Sequence, residues 1–147
     1  LSASNRIKGI VLHEILSRMI VADDLEKAVK LSLDSGDISE DEYLPILSML
    51  RERLQEIKST GWFDCDMEEI MNETTLIDKE GNMYRPDRVI VRDDKITVID
   101  YKFGEHDERY VGQLRKYADI WRRMGYDKVE AYLWYVLAGD IVEIALS

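Results

Sequence analysis

From Asn5 to about Val21 the apolar residues Ile7, Ile10, Val11, Ile15, Leu16 and Met19 return at intervals of three and four, the spacing of one face of an amphipathic helix. A second helix is expected from a cap at Asp23 or Asp24 through Leu25, Val29 and Leu33 to Gly36. Ser39 and Glu42 have capping-box spacing, but Pro45 suits the first turn of a helix better than its interior, and this third helix is expected to reach about Ser59. Past Gly61-Trp62 the pattern shortens to three strand-like runs, Ile70–Asp78, Met83–Arg92 and Lys95–Phe103, separated by Lys79-Glu80-Gly81-Asn82 and Asp93-Asp94. Three consecutive strands joined by tight hairpins are expected. Val111, Leu114, Tyr117, Ala118 and Trp121 restore helical spacing from Glu108 to Met124, with Gly125 as C-cap, and Val129–Val136 and Ile141–Leu146 read as two further strands. Helices, three strands, a helix and two strands make an α/β chain built on a mixed sheet with helices packed against it.

A length of 147 residues suits one domain, with a helical part over about 1–60 and a strand-rich core over about 61–147. No apolar run approaches the roughly 20 residues that span a bilayer, so no membrane partner is expected. The single cysteine, Cys65, rules out an internal disulfide, a multi-cysteine zinc site and an iron-sulfur cluster, and fits a reducing cytoplasm. The first residue is Leu1 rather than Met, from which we expect a fragment of a longer polypeptide. A formal net charge of −10 argues at first against nucleic acid, whose binding rests on Lys and Arg. The charge is confined, however. Between Asp23 and Glu80 stand 17 acids and 6 bases, against 13 acids and 14 bases in the remainder, where Arg85/Arg88/Arg92 and Arg115/Lys116/Arg122/Arg123 cluster. The acidic stretch reads as a solvated helical face or a surface for another domain.

The chemistry lies in the balanced part. In Ile96-Thr97-Val98-Ile99-Asp100-Tyr101-Lys102 a period of two places Ile96, Val98, Asp100 and Lys102 on one strand face, so an acid and a base end an apolar row. A hairpin turning at Asp93-Asp94 brings Asp87 beside Asp100. Two carboxylates at the ends of adjacent apolar strands repel unless a cation lies between them, and hard oxygen donors favour Mg²⁺ or Mn²⁺. Such a metal suits phosphodiester hydrolysis, with Lys102 holding the attacking water or the phosphate oxygens. On spacing alone, Asp100 and Lys102 read equally well as an exposed ion pair at a strand end.

Pro86-Asp87 followed by Asp100-Tyr101-Lys102 resembles the PD-(D/E)xK nuclease motif. More narrowly, the series Gly9-x-x-x-His13-Glu14, Glu73, Pro86-Asp87-Arg88-Val89, Ile99-Asp100-Tyr101-Lys102-Phe103-Gly104 and Gln113-x-x-x-Tyr117 resembles the RecB-like nuclease family, which includes the C-terminal nuclease domains of RecB and AddA helicase-nucleases. The resemblance implies a restriction-endonuclease-like core and a metal-dependent deoxyribonuclease, exonuclease V-like. It implies metal ligation by His13, Asp87, Asp100 and the Tyr101 carbonyl, and a catalytic role for Lys102. Glu73 is implied to act through water or a second ion, and Gln113 and Tyr117 to line the site and place DNA or Lys102. It further implies Mg²⁺ or Mn²⁺, no nucleotide site in this domain, and single-stranded DNA fed by a helicase in cis or in trans during recombination and double-strand break repair. Two features depart from the family pattern: Tyr84-Arg85 precede Pro86 where Gly and an apolar residue are more usual, and Phe103 stands where Thr is common. The rival expectations are a catalytically silent DNA- or protein-binding scaffold of the same fold and a stand-alone repair or restriction-like endonuclease.

Overall fold

The computed structural model describes residues 3–72, 75–77 and 79–146. The chain divides into two compact units, Leu1–Met67 and Glu68–Ser147. No helix among the described residues is long and apolar enough to cross a membrane.

The first unit holds α1 (Ala3–Ser17), α2 (Leu25–Asp34) and α3 (Glu40–Glu56), with α1 packed on α2 and α2 on α3. Their buried residues keep the three-and-four spacing: Leu12, Ile15 and Leu16 on α1, Leu25, Ala28 and Val29 on α2, Leu47, Leu50 and Leu54 on α3. Just past α1, the Arg18 guanidinium donates to the Ala28 carbonyl at 2.8 Å and to the Ser32 hydroxyl at 2.7 Å, which gives the fully buried Ser32 a partner. Asp24 stands at the start of α2, but its carboxylate accepts from the Ile20 and Val21 N–H groups behind it and caps no amide of α2.

Pro45 lies inside α3, not in its first turn. The capping box decides the helix start: Ser39 N–H donates to Glu42 Oε1 at 2.9 Å and Glu42 N–H to Ser39 Oγ at 3.3 Å, satisfying two amides reciprocally. Pro45 then forfeits only the bond to the Asp41 carbonyl, and both residues are exposed, so water can take that carbonyl. The helix also ends earlier than expected, at Glu56, followed by a 3₁₀ turn over Lys58–Thr60 that closes on Gly61 at φ +73.

The second unit contains a five-stranded mixed sheet. Its strands are β1 (Ile70–Asn72), β4 (Arg88–Arg92), β5 (Lys95–Lys102), β6 (Lys128–Tyr135) and β7 (Asp140–Glu143), in the order β1-β4-β5-β6-β7. Only β5 and β6 run parallel, and α4 (Glu108–Arg123) makes the crossover between them. A separate ribbon pairs β2 (Leu76–Ile77) with β3 (Met83–Tyr84).

The expected three-strand meander is therefore interrupted. The first run yields β1 and β2, and the second yields β3 and β4, with Arg85-Pro86-Asp87 outside either strand. Proline has no N–H to give a ladder and restricts the residue before it, so pairing stops at Pro86 and resumes at Arg88. α4 covers one face of the sheet, where Leu114, Tyr117, Ala118 and Trp121 pack with Val89, Ile96, Val98, Ala131 and Leu133. Asp107 caps α4 through the Arg109 N–H, and Gly125 at φ +102 follows its end.

Replacing Ser39 by Ala removes one half of the capping box and is expected to lower stability by about 1 kcal/mol, read as a reduced urea midpoint with unchanged slope.

Candidate functional site

β5 is the central strand of the sheet, and its last residues carry the chemistry. The β4–β5 register pairs Arg88 with Ile99 and Val89 with Val98, which sets Asp87, just before β4, opposite Asp100. Because ladder pairing lapses at Pro86, the Asp87 side chain takes up the next β5 amide: Tyr101 N–H donates to Asp87 Oδ2 at 2.7 Å. The Asp87 and Asp100 carboxyls also share a hydrogen bond. Lys102 Nζ lies 2.8 Å from Asp100 Oδ2, and its ammonium sits over the Tyr110 ring, 4.2 Å from the centroid. Asp100 is 6% exposed, so this is no surface ion pair.

The electrostatics follow from that burial. Desolvation first, then the hydrogen bond and charge of Asp87, push the Asp100 carboxyl up to about 7, against the opposing pull of Lys102. Burial also works against the Lys102 charge, but the Asp100 carboxylate outweighs it and the ammonium titrates above its ordinary value. Asp100 in contact with Asp87 thus keeps its proton far above the ordinary carboxylate range. A hard divalent cation displaces such a proton, and the oxygen donors of Asp87 and Asp100 suit one.

Of the other expected site residues, Tyr117 on α4 reaches the same neighbourhood. Its ring meets Tyr84 edge-on at 5.3 Å and its hydroxyl bonds the Arg85 backbone. Burial and then the Asp100 charge raise its phenol. Gln113, one turn earlier, is exposed, and its side chain makes no hydrogen bond among the described residues. The Tyr101 side chain points to the opposite sheet face from Asp100 and is buried, with the Arg88 guanidinium against its phenol. Only the Tyr101 backbone therefore serves the site. Glu73 lies outside the described residues. His13 stands half-buried on α1 in the first unit. Among the described residues, no three His, Cys, Asp or Glu side chains are grouped as a ready metal cage.

Tyr110 was not foreseen. Tyr110, Gln113 and Tyr117 recur at three and four residues along α4, and that stripe, read beside the strand ending in Lys102, is the signal that finds it. A second unforeseen contact follows β5: His106 stacks on Tyr135 at 3.8 Å and 7°, with Nε2 3.5 Å from Asp140 Oδ2, and Tyr135 is the β6 partner of Lys102. No family model matches this chain, and no curated protein matches it.

The raised Asp100 value has a definite sign. An unfolded aspartate titrates near its ordinary value, so between about 4 and 7 the folded state holds more protons and stability falls as pH rises. Metal-free protein is expected to melt lower at pH 8 than at pH 5.5, and Asp100→Asn to flatten that dependence. Mn²⁺ affinity should rise about tenfold per pH unit up to about 7, as one proton is displaced per ion, measurable by calorimetry in buffers of different ionisation enthalpy.

Proposed function

We propose that this chain carries a divalent-metal-dependent DNA nuclease of the RecB-like PD-(D/E)xK kind. The observation that carries the reading is the contact of half-buried Asp87 with buried Asp100 on adjacent strand ends, with Lys102 two residues on and held by Asp100. Structural ion pairs rarely set two acids in contact for one base, whereas sites that handle charge use such an arrangement. The order of the motif residues along the chain supports the family, and the mixed sheet with its α4 crossover is compatible with a restriction-endonuclease-like core.

Asp87 and Asp100 would hold Mg²⁺ or Mn²⁺, joined by the Tyr101 carbonyl and, in this reading, by Glu73 acting through water or a second ion. When bound, the metal would offset charge growing on the scissile phosphate and acidify a water. Lys102 has the complementary part. Its ammonium is fixed between the Asp100 carboxylate and the Tyr110 ring, so it is charged and oriented before substrate arrives, ready to hold the attacking water or a phosphate oxygen. Tyr117 and Gln113 border the approach to it. A helicase partner in cis or in trans would deliver single strands, placing the activity in double-strand break processing. A protein with a net charge of −10 gains little DNA affinity from its own field, which suits substrate supplied by a partner.

One observation favours a second reading. The described residues group two carboxyls rather than three ligands, as a silent DNA- or protein-binding scaffold of the same fold would.

The two separate in one experiment. The nuclease reading expects saturable Mn²⁺ binding and Mn²⁺-dependent cleavage of single-stranded DNA, both lost in Asp100→Ala, with Lys102→Ala lowering kcat by about 10²–10³-fold while metal still binds. DNA retention with no cleavage in any metal would establish the scaffold instead.

A further inference from the structure

Beside the carboxyl pair, the β2–β3 ribbon and α4 enclose a cavity of about 260 Å³. Tyr84 lines it, and the Tyr84 ring packs against Tyr117, so the cavity adjoins the proposed active site through this pair of rings. Its α4 side consists of Lys116, Asp119, Ile120 and Arg123, residues three and four apart along a single helix face. Asn82 and Glu80 close it from the ribbon turn.

The two cations are the informative members. Five other basic side chains of this unit have acidic partners: Arg92 with Glu69, Lys95 with Glu130, Lys102 with Asp100, Arg109 with Asp107, Arg122 with Asp119. Lys116 and Arg123 meet no acidic partner among the described residues, although the protein has 30 acids for 20 bases. They lie two helical turns apart, about 10 Å along the axis, one at each end of the same cavity wall. Ile120 offers an apolar floor, Tyr84 a ring, and Asn82 and Asp119 polar groups for hydrogen bonding. Phosphate, flat apolar surface and polar edge are the three parts of a nucleotide. Ligand cavities run from about 300 Å³ upward, so this one has room for one unit rather than a longer segment.

We infer that this cavity binds one nucleotide of the single strand that flanks the cleaved bond, with Lys116 and Arg123 on its phosphates and the base against Tyr84 and Ile120. The inference rests on the nuclease reading for its substrate, but it is tested without cleavage. Full-length protein in EDTA is titrated with a short fluorescein-labelled oligothymidylate, and anisotropy is followed across a salt series. For Lys116→Ala/Arg123→Ala we expect binding weakened about tenfold or more and the slope of log affinity against log salt reduced by about 1.4, or about 0.7 per lost phosphate contact. Lys116→Arg/Arg123→Lys should restore both, and Lys128→Ala, which removes an exposed cation at the start of β6, should change neither.

No binding by the wild type, an unchanged salt slope in the double variant, or an equal loss in Lys128→Ala would overturn the inference. Displacement of the oligonucleotide by thymidine monophosphate at equal nucleotide concentration would also overturn it, because the site would then take free nucleotides. Mn²⁺-dependent cleavage by the same wild-type protein reports separately on the nuclease reading, so either idea can fail while the other stands.

Discussion

Two carboxyl groups that would separate in water are held in contact by the β4–β5 ladder. The pairing of Arg88 with Ile99 and Val89 with Val98 fixes Asp87 against Asp100, and the Tyr101 amide fastens the Asp87 carboxylate in place. The arrangement is costly because Asp100 sits where water can hardly screen it from the Asp87 carboxylate. It persists because β5 is the central strand, paired on both sides, and cannot move its end without disturbing the whole sheet. The ladder thus sustains a local electrostatic tension that the Lys102 ammonium and the raised protonation of Asp100 only partly relieve.

Pro86 has a double effect. By ending the pairing it splits the strand that would otherwise run from Met83 to Arg92, freeing β3 to form the small ribbon with β2. It also leaves Asp87 at the entry of β4 with its side chain, not its backbone, engaged to β5. A continuous strand would have carried a ladder hydrogen bond where the structure has a carboxylate.

α4 links these features. Its buried residues cover the apolar face of the sheet, its Tyr110 and Tyr117 stand by Lys102 and Asp100, and its Lys116–Asp119–Arg123 stripe walls the cavity by the ribbon. One crossover helix therefore supplies core, a ring beneath the Lys102 charge and two cations that meet no acidic partner among the described residues. A helix does this readily because residues three or four apart share a face, whereas neighbours in sequence do not.

The sequence by itself determined the helical stretches, the strand-forming stretches between and after them, the alternation that puts Asp100 and Lys102 on one face, and the α4 and Gly125 boundary. These are local properties, dictated by a period of two or 3.6 and by the conformational limits of glycine. Its errors were also local competitions. At α3 the Ser39/Glu42 box outweighed Pro45, and in the first two strands Pro86 divided what hydrophobic pattern alone would join. Only the tertiary structure decided that Tyr110 lies under the Lys102 ammonium, that the Tyr101 ring turns away from the site, and that Asp100 is buried deeply enough to keep a proton near neutral pH. Desolvation and ring contacts depend on which surfaces the sheet and α4 close over one another, and no spacing along the chain encodes that distance.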